Sequence, residues 1–179
     1  MPRNAVVVLR LGHRPGRDER ITTHVGLTAR ALGADRFVLA ATDAGPLERI
    51  DEVTERFGGP FETRQIDHYR HFLSDWTGSI VHLTMYGMPI QDEMASIPRD
   101  EDVLIVVGAE KVPFEIYEQA DWNLAVTNQP HSEVASLAVC LDRFFDGDGL
   151  DRSFTNGTHR VIPQETGKRV VSADQSEAK

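Results

Sequence analysis

The chain predicts an α/β fold, a mainly parallel sheet with helices on both faces. Three observations carry this. Short apolar runs of strand length recur between longer segments with helical spacing; the runs are near-continuous Val, Ile and Leu; and proline and glycine sit where helices start and stop. A strand with little polar alternation is covered on both faces, which in a chain of 179 residues points to a doubly wound layer structure.

In order, Ala5–Leu11, Phe37–Ala41, Ser79–Met85, Val103–Val107 and Trp122–Thr127 read as strands. Phe61–Ile66 alternates more strongly and reads as an edge strand. Helices are expected over about Arg20–Leu32, Pro46–Phe57, Tyr69–Trp76, Ile90–Ile97, Pro113–Ala120 and His131–Phe145, with Pro46 and Pro113 in first turns and Gly33 and Gly58 at helix ends. The main domain is expected over 1–149 and an extension over 150–172, where Arg160–Pro163 and Lys168–Val171 suggest a short hairpin; the polar tail 173–179 is expected to be disordered.

Composition narrows the function. One cysteine, Cys140, leaves no internal disulfide and no Cys-based zinc cage, and no apolar run approaches the roughly 18 residues of a membrane span. The start, Met1-Pro-Arg-Asn4, leads straight into a strand-like run, so a cytoplasmic protein is expected. A net charge of −9 argues at first against a nucleic-acid partner. Yet within residues 1–36 seven arginines oppose three carboxylates, a net of +4, leaving −13 for the rest. Any nucleic-acid contact would thus be confined to that arginine-rich edge, with the acidic remainder facing solvent.

Phosphate-cradling Gly-x-x-x-x-Gly-Lys-Ser/Thr, dinucleotide Gly-x-Gly-x-x-Gly, Gly-x-Ser-x-Gly and His-Glu-x-x-His are all absent. Four segments remain, each at or just after the end of an expected strand, where doubly wound sheets bind ligands. Leu9–His24 gathers Arg10, His13, Arg14, Arg17, Arg20 and His24; Arg17, Arg20 and His24 share one face if the helix starts early enough, with Ile21, Val25, Ala29 and Leu32 opposite. A solvated basic loop would look the same. His82–Gly87 ends a strand, and an ordinary strand-to-turn transition reads equally well. Val107–Pro113 places Gly108 first in a turn, where a ligand can approach the backbone. Thr127–Val134 holds Asn128, Gln129, His131, Ser132 and Glu133, dense for a connection, although Ser132 also suits a plain N-cap. The helix beyond it is apolar nearly all round, fitting burial on two sides in a core or subunit interface.

Taken together, Leu9-Arg-Leu-Gly-His-Arg-Pro15, Arg20-Ile-Thr-Thr-His-Val25, Val81-His-Leu-Thr-Met-Tyr-Gly87, Ile105-Val-Val-Gly-Ala-Glu-Lys-Val-Pro113 and Asn128-Gln-Pro-His-Ser-Glu-Val-Ala135 resemble the archaeal tRNA (cytidine-56) 2′-O-methyltransferases of the SPOUT superfamily, over Val6 to about Val171. The resemblance implies a C-terminal trefoil knot, a homodimer with sites near its interface, tRNA as substrate and no required metal. It implies S-adenosylmethionine held by Leu83, by Gly108, Ala109, Glu110, Lys111 and Val112, and by Val126, Thr127, Asn128, Gln129, Pro130, His131, Ser132 and Glu133.

One departure bears on mechanism. Related enzymes carry an arginine in the first helix at a position that here is Leu27, ahead of Ala29-Arg-Ala-Leu-Gly33. Arg20, two turns earlier on nearly the same face, is the expected replacement, orienting phosphate and stabilising the emerging alkoxide. Ser132 is expected to position the 2′-oxygen, His24 or His131 to accept its proton, and Arg10, His13, Arg14 and Arg17 to contact RNA. The competing readings are a non-catalytic RNA-binding module, distinguished by showing no cofactor heat, and a small-molecule α/β enzyme with an unusual nucleotide site, favoured if RNA fails to bind at any salt.

Overall fold

The computed structural model describes residues 4–109 and 111–173. Six strands, β1 (Val6–Leu11), β2 (Arg36–Ala40), β3 (Glu62–Ile66), β4 (Ser79–Pro89), β5 (Val103–Gly108) and β6 (Trp122–Ala125), form one parallel sheet in the order β3-β2-β1-β5-β4-β6. As its alternating sequence suggested, β3 lies at an edge. The chain after β3 crosses β2, β1 and β5 to reach β4, and the connection from β5 to β6 crosses over β4.

The strand residues divide by parity. Val6, Val8, Phe37, Leu39, Val103, Ile105 and Val107 face one layer with α1 (Glu19–Ala31), α2 (Gly45–Phe57), α4 (Ile90–Glu93) and α6 (Glu133–Phe144). Val7, Leu9, Val38, Leu104 and Val106 face the thinner layer of α3 (Tyr69–Ser74) and α5 (Phe114–Gln119). Both clusters are almost fully buried, which explains why the strands show little polar alternation.

Three boundaries differ from the sequence reading. α1 begins at Glu19, so Arg17 lies in the preceding turn, closed by its amide on Arg14 O at 3.2 Å, and is not on the helical face with Arg20 and His24. β4 continues past Met85 to Pro89, with an irregularity between Leu83 and Met88 where it pairs with β6. Gly87 permits this: a Cβ there would lie 2.4 Å from Asn123 O on the adjacent strand. Finally α6 starts at Glu133, capped by Ser132, whose Oγ accepts from Val134 N at 3.1 Å.

Beyond α6 a short 3₁₀ turn, 148–151, returns the chain across the sheet's other end, where Gly59 and Thr155 form a backbone bridge. β7 (His159–Ile162) and β8 (Arg169–Ser172) then pair antiparallel, and β7 packs against α2. Of the expected disordered tail 173–179, residues 174–179 lie outside the described residues.

Candidate active site

A cavity of about 300 Å³ opens at the carboxyl ends of β4, β5 and β6. Eight of the residues expected to hold a cofactor line it: Leu83, Gly108, Ala109, Val112, Val126, Pro130, His131 and Glu133. Thr127, Asn128, Gln129, Ser132 and Lys111 are not among the lining side chains, and Glu110 lies outside the described residues. Two of the excluded residues shape the cavity from behind. Asn128 donates through Nδ2 to Met85 O at 2.7 Å and Gly87 O at 3.0 Å, fastening the segment after β6 to the extension of β4. Ser132 is occupied as the α6 cap. Gly108 keeps the wall open, because a Cβ at that position would stand 2.2 Å from Val112 Cγ2.

His82, Thr84, Met85 and Tyr86, from the candidate segment His82–Gly87 of which only Leu83 was expected to hold the cofactor, complete the lining together with Tyr117 and Ser136, which the sequence did not single out. The signal for His82 was its place as a polar residue inside the apolar run Ser79–Leu83. Its ring is fully buried, 4.7 Å edge-to-face from Tyr117, with Nδ1 2.9 Å from Asn123 Oδ1. Asn123 Nδ2 donates to Tyr117 O at 2.8 Å, which turns its Oδ1 toward the imidazole and so places the ring proton on Nδ1. Burial pushes the His82 pKa down despite that bond, so the ring is neutral and Nε2 carries a lone pair; among the described residues it has no partner. Tyr117 Oη and Thr84 Oγ1 lie 3.1 Å apart beside it.

The arginine-rich segment divides into an interior part and an exterior part. Arg10 continues the inward stripe Val6, Val8 of β1 and is fully buried between the sheet, α1 and α6. Its Nε donates to Thr22 Oγ1 at 2.8 Å and its Nη1 to Glu133 Oε1. His13 is buried too, with Nδ1 2.7 Å from Thr22 Oγ1 and Nε2 3.5 Å from Asp43 Oδ2. The expectation that Arg10 and His13 contact RNA is therefore corrected. Their charge and polarity are spent inside the fold, tying the first turn of α1 through Thr22 to the cavity wall at Glu133.

Arg14 forks onto Asp18, Nε to Oδ2 at 2.8 Å and Nη2 to Oδ1 at 3.0 Å, with the Arg14 amide also donating to Oδ2 at 3.0 Å. These bonds from Arg14, against the opposing effect of burial, lower the Asp18 pKa to about 2. Arg17, Arg20 and His24 are exposed, and among the described residues the Arg17 and Arg20 side chains have no hydrogen-bond or ion-pair partner. At the cavity rim His131 Nδ1 lies 3.1 Å from Ser132 O; the carbonyl can only accept, so Nδ1 carries a proton.

A cavity whose lining mixes apolar and polar groups in equal measure, with a free arginine and histidine on the helix beside it, fits a nucleoside-bearing cofactor facing an anionic substrate. Among the described residues no three His, Cys, Asp or Glu side chains cluster to hold a metal, and no helix is long and apolar enough to cross a membrane.

Comparison with known proteins agrees. Among solved structures, an RNA 2′-O ribose methyltransferase superimposes with a TM-score of 0.61 at 16% identity, covering 81% of this chain and 57% of that one. The methyltransferase AviRb from Streptomyces viridochromogenes, in complex with AdoMet, gives 0.56 at 12%, over 83% of this chain and 59% of that one. These likenesses establish the fold. Among relatives, the tRNA (cytidine(56)-2′-O)-methyltransferase of Natronomonas pharaonis is 61% identical over 175 residues, 96% of this chain and 97% of that protein, and that of Thermococcus kodakarensis is 54% identical over 180 residues, 96% and 99%. The model of the family described as tRNA ribose 2′-O-methyltransferase, aTrm56, matches residues 57–171. The chain belongs to the aTrm56 family of tRNA ribose 2′-O-methyltransferases.

Proposed function

We propose that this protein transfers a methyl group from S-adenosylmethionine to the ribose 2′-hydroxyl of cytidine 56 in tRNA, acting as a cytoplasmic homodimer. The observation that carries the reading is the cavity at the ends of β4, β5 and β6, with eight cofactor-expected residues on its wall and the first turn of α1 tied to that wall by Arg10. Sequence identity of 61% to a relative bearing the cytidine-56 name supports the choice of nucleotide.

Leu83, Gly108, Ala109, Val112, Val126 and Pro130 would hold the cofactor, which when bound supplies an electrophilic methyl group on sulfur. Thr127, Gln129 and Lys111 would contribute through backbone or outer contacts, and Ser132 through its cap. A ribose hydroxyl is a poor nucleophile at neutral pH, so the chain must place positive charge and a proton acceptor beside it. Arg20, exposed and unpaired among the described residues, takes the first role: its guanidinium grips the neighbouring phosphate and steadies negative charge growing on the 2′-oxygen. His131 Nε2 at the cavity rim, or His24 one turn beyond Arg20, accepts the proton. Arg17 meets the RNA backbone, and Arg14 joins it by sharing the fork now on Asp18.

The homodimer is supported by α6, whose exposed face carries Ala135 and Val139, and by Tyr86 and Met88, exposed on the β4 extension. The trefoil knot enters this reading through the fold shared with the methyltransferase AviRb.

The test is incorporation of tritiated methyl into an unmodified tRNA transcript, with the ribose mapped. Transfer to the 2′-oxygen of nucleotide 56 is expected, and no transfer from low to molar salt would refute the reading. Arg20→Ala is expected to abolish transfer while leaving cofactor binding within about twofold; retained activity would remove Arg20 from its role.

A further inference from the structure

A second cavity, of about 450 Å³, lies where the C-terminal hairpin meets α2 and the end of α1. Its lining includes Arg30, Arg152, His159 and Arg160 with the rings of Phe57 and Phe154, and none of its lining residues is acidic. That is unusual in a chain of net charge −9, and it reflects a local reversal: residues 152–172 carry four basic side chains against the single carboxylate Glu165. Arg30 is 93% buried, with its guanidinium 4.3 Å from the centre of the Phe154 ring and Nη2 donating to Gly58 O. Its Nε is buried with no partner among the described residues, an unusual state for a guanidinium whose five donors favour full pairing.

We propose that this cavity is a second RNA site, receiving a backbone phosphodiester of the tRNA substrate on Arg30, Arg160 and His159. The inference rests on the tRNA reading given above. Guanidinium groups, planar and always charged, are suited to a tetrahedral anion, and a cavity of about 450 Å³ leaves room for the sugar–phosphate around it. The location gives the site its sense. Arg20 is in the first turn of α1 and Arg30 in its last, separated by about 15 Å at 1.5 Å per residue. An RNA strand running along α1 would span that distance in about four nucleotides at ~3.4 Å each. The contact therefore anchors the substrate at a fixed distance from the methylated ribose, and extends RNA binding beyond the N-terminal edge to which the charge count of residues 1–36 confines it.

The experiment measures binding of full-length protein to unmodified tRNA as a function of salt, for wild type, Arg160→Glu, Arg160→Lys and, as the same charge change on the exposed edge strand β3, Arg64→Glu. Arg160→Glu is expected to weaken binding at least tenfold, to flatten the slope of log K against log salt by about 0.7–0.9, and to raise KM for tRNA with kcat and cofactor affinity held. Arg160→Lys, which keeps the charge, is expected to stay within about threefold of wild type, and Arg64→Glu to leave the slope unchanged. Equal effects from Arg160→Glu and Arg64→Glu, or none from either while wild type methylates tRNA, would overturn the second site and leave the methyltransferase reading standing. Arg160-dependent binding of inorganic phosphate with unchanged tRNA affinity would overturn it as well. Failure of the wild type to bind or methylate tRNA would instead overturn the methyltransferase reading, and the second site with it.

Discussion

Replacing Glu133 by alanine should destabilise the protein more than replacing Arg10 by methionine, although the two residues form one ion pair. The asymmetry follows from exposure. The Arg10 side chain is 1% exposed and the Glu133 side chain 26%, with Glu133 on the cavity wall. Removing Glu133 strands a guanidinium in the interior, with Thr22 Oγ1 as its remaining side-chain acceptor, a situation that costs about 3–5 kcal/mol. Removing Arg10 leaves a carboxylate that can turn to water in the cavity, while methionine fills much of the vacated apolar volume; the loss is then about 1–2 kcal/mol. For a chain of this size, at about 2–4 °C per kcal/mol, the first change lowers Tm by roughly 10 °C and the second by about 4 °C. Urea unfolding at one fixed salt concentration, with the double variant completing the cycle, reads both. The double variant should cost less than the sum, because no buried charge is then left alone. If Arg10→Met costs as much as Glu133→Ala, the account of Arg10 as an interior charge that depends on Glu133 is wrong.

Three further outcomes can be checked with the same preparation. Gly108→Ala should reduce S-adenosylmethionine affinity at least tenfold by calorimetry while the fold persists, since the new Cβ pushes Val112 into the cavity; unchanged affinity would mean the cofactor does not approach that turn. Asp18, held to a pKa of about 2 by Arg14 against an ordinary 3.8, contributes stability that is fully present above pH 3.8 and is lost as pH falls toward 2. In that window wild type should lose more stability than Asp18→Asn, and parallel acid titrations of the two would contradict the pairing. Cys140, 1% exposed with its thiol pushed up to about 12 by burial, should resist a disulfide-exchange reagent at pH 8 in the native protein and react once urea unfolds it; rapid native labelling would place it elsewhere.

Much of the fold was legible because its pattern is local. Runs such as Val103–Val107 are apolar on both faces, and β5 is buried on both. The loops after those strands also pointed to the cavity, since a glycine first in a turn and a polar loop before a helix are local signals. What was misread is a matter of side. Arg10 and His13 are neighbours in sequence of the exposed Arg14, Arg17 and Arg20, but proximity along the chain is not a shared surface. A period of two along β1 already places Arg10 on the stripe of Val6 and Val8, so its burial was available from spacing alone. Arg17 leaves the helical face of Arg20 and His24 for a different reason, because α1 starts two residues beyond it. The second basic cavity had no local signal at all: Arg30, Phe57, Phe154 and Arg160 come together only when the chain after α6 folds back onto α2. The extension of β4 to Pro89 was equally hidden, since it depends on Asn128, more than 40 residues later, gripping Met85 O and Gly87 O.

The cavity wall comes from three stretches of chain, around 82–86, 108–117 and 126–136, and the last follows a connection that crosses over β4. A ligand that touches all three would clasp them together. Any defect that loosens β6 against β4 should appear as lost affinity before it appears as unfolding. Conversely, a cofactor at a hundred times its Kd would add about 2.7 kcal/mol to the folded state. The supply of methyl donor would then govern how long the enzyme survives as well as how fast it works.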